Sequence, residues 1–556
     1  MKRLLASFSI TLAASGLIGT ILVQPLSAQT ACQPHKTLSS SASFTVNTKP
    51  EDLAVTPNGR FAIVRGNGQG SRVLAFDLLS NVLVTISGTF SGLGVHAHDA
   101  DVVEVTNTRA ITIGSEIVGV GTVENRTYVD IFALATSPSV SVSVLRSYTF
   151  TDFGEAHDIA ITPDGTKAVV TGDRRIRVFD LLSPGASPLA VFNVSGSPRW
   201  AFIDGNDVLW TDVPADSVQV TNDVAIVQYA QTVSACGSRP QPIVYLLDLN
   251  DLSAVALTDD LGADLVAFDG CDGRWPHDLA ISPDGSRAVA GGVKSLALYD
   301  LTSMTRIDWT GGESGGRAGG LFQTISQTTA GGFPPVNYGT VVDSVAISDS
   351  HVVAIADQGG AVIYEIGGGT LNPVQTIAHN GVHDVAILSN GSVAVAHTRN
   401  STHLIDLTTS TPLVTTLADA AGSDARGSTN AFVSDSALLT VTPARCVTIN
   451  TQAGGSTGSL QIVNTSNGSV VAGPSISLND SLDRLVDLRA VANFVFVRAS
   501  DSSSDLFGFN TCTGASMGSF NLGGQCKGVD HLEATSTRVI TTSESATGGF
   551  VNIFSF

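Results

Sequence analysis

Four His-Asp dipeptides recur along the chain, at His98-Asp99, His157-Asp158, His277-Asp278 and His383-Asp384, with Asp530-His531 in reverse order. His96 adds a His-x-His beside His98. A neutral imidazole suits copper, zinc or iron, and a neighbouring carboxylate can ligate the same ion or orient the ring. Brought around one axis, these pairs could hold a divalent metal, the one cofactor the pattern suggests. A structural reading carries more weight, because a polar pair repeated ahead of a strand is also what one repeat needs to hydrogen-bond the next.

An acidic run offers a second candidate. Asp259, Asp260, Asp264, Asp269 and Asp272 lie near two glycines, and Asp269 and Asp272 are its calcium candidates. Calcium takes several oxygen ligands from a flexible loop, but this spacing lacks the alternate acids and twelfth-position Glu of an EF-hand. A solvated acidic loop is the heavier reading. There is no Gly-x-Ser-x-Gly elbow, no His-Glu-x-x-His and no phosphate loop. An enzyme on this chain would have to assemble its site from scattered loops.

The elements that position the pairs are repeats. From Pro276, Leu279-Ala280-Ile281 forms a short apolar strand and Pro283-Asp284-Gly285 a tight turn. Ala288-Val289-Ala290 then forms a second strand, and Ser295 to Leu301 a third. His157 opens a close copy, and Asp52 opens another with Pro57-Asn58-Gly59 in the turn. Repeat units start near residues 52, 98, 157, 217, 277, 343, 383, 429, 487 and 530. This predicts an all-β fold, a single large β-propeller of four-stranded antiparallel blades, seven to ten in number. Each His-Asp pair then precedes an innermost strand and faces one mouth of the channel. Residues 41–48 form an orphan strand, and the last unit has room for only three before Phe556. A strand from the N-terminal end completing the last blade would close the ring.

The segments HDIAITPDGTKAVVTG and IRVFDL, with HDLAISPDGSRAVAGG and LALYDL, resemble the YVTN-type propeller repeats of exported and surface-layer bacterial proteins, distant relatives of WD-repeat propellers. The likeness covers the four units starting at Asp52, His157, His277 and His383. It implies a fold rather than a function, since such propellers serve as binding platforms, interaction modules and enzyme scaffolds alike.

Residues 1–28 read as a secretory signal peptide: Lys2 and Arg3, an uncharged run, then small residues up to Ala28. Residues 29–556 are the propeller domain. Removing the signal takes away two cations and no acid, so the formal net charge goes from −20 to −22. Such a surface repels phosphate backbones, which argues against nucleic acid as a partner. Six cysteines remain, an even number that reads as disulfides in an exported protein. The expected pairs are Cys512 with Cys526, Cys236 with Cys271 and, by elimination, Cys32 with Cys446. The leading function is a secreted or periplasmic binding module for a protein, small molecule or carbohydrate. The alternative is a propeller enzyme, hydrolase or oxidoreductase, with a metal near the channel mouth.

Overall fold

The computed structural model describes residues 36–556 apart from 68–72, 90–102, 119–123, 138, 154–155, 173, 195–217, 234–238, 258–275, 293–294, 312–341, 357–359, 378–381, 389–390, 399–400, 410, 419–429, 434–444, 452–456, 465–469, 473–474, 478–483, 492, 501–504, 523–531 and 546–547. Every regular element among the described residues is a strand. No helix there is long and apolar enough to cross a membrane.

The strands form ten sheets among the described residues. In chain order they span 49–84, 86–150, 156–193, 218–257, 276–311, 342–377, 382–418, 430–477, 484–521 and 532–555, numbered here first to tenth. Eight have four strands and two have five. All pairings are antiparallel except one, in which Ile86–Ser87 lies parallel to Val142 and Ser143 on the outer edge of the second sheet. The chain leaving the first sheet there covers an edge that would otherwise offer unpaired backbone groups. The four-stranded antiparallel sheets expected from the sequence are present, with an added strand in two of the ten.

The architecture is that of a β-propeller, small sheets in succession packed face to face, and the packing follows from the period-two geometry of a strand. In the third sheet Ala168, Val169 and Val170 are all fully buried. Ala168 and Val170 join Ile111, Ile113 and Val129 of the second sheet in one core, while Val169 joins Ala225, Val227 and Tyr229 of the fourth in another. A strand buried on both faces reads as a continuous apolar run rather than an alternating one. Comparable cores lie between each successive pair from the first sheet to the seventh, and from the eighth to the tenth.

Ser39–Val46 pairs antiparallel with Gly548–Ser555, making the tenth sheet from both ends of the chain. Val46, Ile540, Val551 and Ile553 of that sheet pack with Leu53, Ala62, Val64 and Phe76 of the first.

Candidate functional site

The pairs His157-Asp158, His277-Asp278 and His383-Asp384 lie inside the innermost strands of their sheets rather than ahead of them, which corrects the sequence expectation for these three. The first strands Lys49–Val55, Ala156–Ile161, Pro276–Ile281, Val342–Ile347, Val382–Ile387 and Arg484–Val491 each slip register by one residue, at 51, 157, 277, 343, 383 and 486. The slipped residue is a bulge, which breaks the ladder and re-aims the side chains beside it. His157, His277 and His383 occupy that position in the third, fifth and seventh sheets, and Glu51, Asp343 and Val486 occupy it elsewhere. The residue that follows is Asp in five of the six and Ser344 in the other.

What the Asp does is visible in two sheets. Asp158 accepts from Ile159 N at 2.9 Å through Oδ1 and from Val218 N at 3.1 Å through Oδ2. Asp52 accepts from Leu53 N and from Val103 N, both at 2.7 Å. Val103 and Val218 begin the innermost strands Val103–Val105 and Val218–Val220 of the next sheets. A buried N–H at a strand start needs an acceptor, and the carboxylate of the preceding sheet supplies it. Asp52, Asp158 and His157 are all buried.

A second contact runs between the turns that join first and second strands, and these alternate in kind. The first, third, fifth and seventh sheets have a longer turn with a left-handed glycine, Gly59, Gly165, Gly285 and Gly391, at φ between 66° and 71°. The second, fourth, sixth and tenth have a four-residue turn, Thr106–Arg109, Thr221–Val224, Ser348–His351 and Thr535–Arg538. In each, the N–H of the fourth residue donates to the first residue's hydroxyl at 2.9–3.0 Å. In the longer turns Asn58 N and Asp164 N donate to Asn107 and Asn222 in the short turns ahead, at 2.7 and 2.8 Å, and Asp284 N donates to Asp349 at 3.2 Å. A Cβ on each of the four glycines would meet Thr535, Thr106, Thr221 or Ser348 of the short turn behind. These glycines are required twice, for a backbone conformation other residues resist and for space.

Arginines of the short turns reach the residue that follows the third strand of the next sheet. Arg109 donates through Nε to Leu181 O at 2.7 Å, and Arg538 donates to Leu78 O at 3.2 Å. Arg177 lies in the seam between second and third sheets, its guanidinium 3.8 Å from the Phe150 ring centroid and 4.5 Å from that of Phe153. It pairs with Asp152 at 2.7 Å. Burial lowers the Arg177 pKa while Asp152 opposes that shift. Burial raises the Asp152 carboxyl, but the hydrogen bond and charge of Arg177, with Arg175 beside it, leave it below its usual range.

Several sequence candidates fall outside this description. His96, His98, Asp99, Asp530, His531 and the acidic run with Asp269 and Asp272 lie outside the described residues, as do Cys32, Cys236, Cys271 and Cys526. The side chains of His277, Asp278, His383, Asp384 and Cys446 do too. Cys512, in the turn after Asp505–Asn510, is disulfide-bonded. No group of three or more metal-ligating side chains occurs among the described residues. The sequence places Asn107 in a turn but assigns no role to it, nor to Asn222, Arg109 or Arg538; their signal is a Thr at the start of a four-residue turn before a strand.

No family model and no curated protein matches the sequence. Among solved structures, BamB from Moraxella catarrhalis is similar at 10% identity and a TM-score of 0.40, over 93% of this chain and 98% of that one. The Dos1 propeller gives 11%, 0.42, 93% and 95%. A eukaryotic initiation factor gives 10%, 0.43, 87% and 90%. Overlaps this loose leave the architecture to rest on the chain's own strand pairing.

Proposed function

We propose that the protein is an exported binding module whose ligand is another protein, and that its recurring Asp residues hold sheets together. The observation behind this is where the exposed apolar side chains sit. Of the nine large hydrophobics that are exposed among the described residues, eight lie on the outer strands and adjoining turns of the first four sheets: Leu79, Val82, Leu83, Leu145, Leu182, Leu189, Val191 and Val255. Grouped exposed apolar residues mark interaction surfaces more often than scattered ones do. The polar residues best suited to chemistry, Asp52 and Asp158, are already engaged by backbone donors.

Spacing argues against a metal shared by the repeated histidines. His157, His277 and His383 lie on alternate sheets, with the fourth and sixth between them. Equivalent positions on alternate sheets thus have a whole sheet between them, whereas zinc ligands lie about 2 Å from the ion.

The test is a photoreactive side chain placed at Leu182 or Val191 and, as control, at Thr409, in protein produced in its native cells. The expected result is one discrete adduct from the first two positions that disappears in a Leu79→Ser, Leu189→Ser variant. Equal labelling from Thr409, or no adduct, would count against the reading.

A further inference from the structure

The short turns carry different residues at one equivalent place. Arg109, Val224, His351 and Arg538 each stand fourth in their turn, and the backbone bond between first and fourth residues is 2.8 Å in all four. The two arginines reach forward to the next sheet, where Leu181 O and Leu78 O accept from them. Leu181 and Leu78 are matched in the seventh sheet by Leu407, because the N–H of each bonds back to its own sheet's longer turn, to Thr166 O, Arg60 O and Ser392 O. The turn containing His351 presses on that sheet, since a Cβ at Gly391 would stand 2.8 Å from Ser348 Cβ. His351 therefore occupies an arginine's place at the seam between the sixth and seventh sheets.

A histidine cannot do there what the arginines do. Arg109 also bonds Leu182 O and Thr108 O, and Arg538 bonds Asn81 and Thr537 O, so their charge is well served. His351 is buried, its Nδ1 lies 2.9 Å from Ser350 Oγ, and its Nε2 has no hydrogen-bond partner among the described residues. A proton added at this ring would be a buried charge with little to bind it.

We infer that the seam between the sixth and seventh sheets is an acid-sensitive joint of the ring, with His351 as its sensor. Charged groups on the elements packed at this turn do not change that. Glu365 is the register partner of His351 on the neighbouring strand. Asp349 in the turn itself accepts from Asp284 N, and its carbonyl accepts from Arg287 of the fifth sheet. On the seventh sheet Asp406 is held by Thr408. Burial lowers the His351 pKa and Glu365 only partly offsets it. The sign follows: a histidine whose folded pKa is depressed leaves stability untouched above its unfolded pKa, near 6.5, and subtracts stability as pH falls below that value.

The test is hydrogen exchange on the full chain at pH 7.5 and 5.5, corrected for intrinsic rates, in the wild type, His351→Arg and His351→Gln. In the wild type, amides of His351–Ala356 and of Val393–Thr398 should exchange several-fold faster at pH 5.5 than at pH 7.5, because stability is lost as the unfolded histidine takes up its proton more readily than the folded one. Strands at the seam carrying Arg109 should not change, and both variants should lose the pH response. A wild-type seam indifferent to pH, or an unaltered response in His351→Arg and His351→Gln, would overturn the inference.

Discussion

Arg538 donates through Nε to Leu78 O at 3.2 Å, although the two residues stand 460 positions apart. The bond repeats one made inside the chain, from Arg109 to Leu181 O at 2.7 Å. Gly59 of the first sheet lies against Thr535 of the tenth as Gly165 of the third lies against Thr106 of the second. The tenth sheet thus meets the first by the same contacts that join the second to the third.

Arg538→Met and Arg109→Met should therefore cost similar amounts. Each removes a charged donor from a backbone carbonyl, about 1.5–3 kcal/mol. Denaturant midpoints of the two variants measure it. An Arg538→Met protein with wild-type stability would show that the two ends of the chain are not joined as described.

Gly391→Ala should be more damaging than Gly368→Ala. Both have left-handed backbones, at φ 68° and 62°. A side chain there costs about 1–2 kcal/mol in each case. Gly368 has open space where a Cβ would go, whereas Gly391 faces Ser348 Cβ at 2.8 Å. Calorimetric midpoints should fall for both and clearly further for Gly391→Ala.

The longer turns should lose support in acid. Burial raises the Asp164 carboxyl, but hydrogen bonds from Thr162 and Thr166 with the charge of Lys167 outweigh it and hold the pKa below its ordinary 3.8. Asp284 is lowered likewise, with Ser286, Ser282 and Arg287 outweighing burial. A depressed carboxylate contributes stability above its unfolded pKa and loses it as pH falls through the folded value. Asp164→Asn should be less stable than the wild type at pH 7, with the gap closing below about pH 4. A gap unchanged at pH 3 would contradict the assignment.

Half of the repeat was plainer in the sequence than the other half, for a physical reason. The units at Asp52, His157, His277 and His383 are the first, third, fifth and seventh sheets, and their longer turns carry Gly at a fixed offset. The sheets between have four-residue turns, such as Thr106–Arg109 and Thr221–Val224, with no proline or glycine to punctuate them. Their strands are no less buried, as Ile111, Ile113, Ile226 and Leu246 show. The recurrence of Asp after His was also legible. Its direction was not, because the donor that meets Asp158 is Val218 N, 60 residues on and unmarked by its residue type.

The claim that the repeated Asp is a joint between sheets is tested most directly by thermal unfolding of the wild type and Asp158→Ala, each with and without a chelator. Asp158→Ala leaves the N–H groups of Ile159 and Val218 without their acceptor. Unsatisfied buried donors cost about 1–3 kcal/mol each. The account predicts a lower midpoint for Asp158→Ala and no effect of chelator on either protein. A wild type that loses stability on chelation, with Asp158→Ala abolishing that loss, would contradict it and return the His-Asp pairs to a metal.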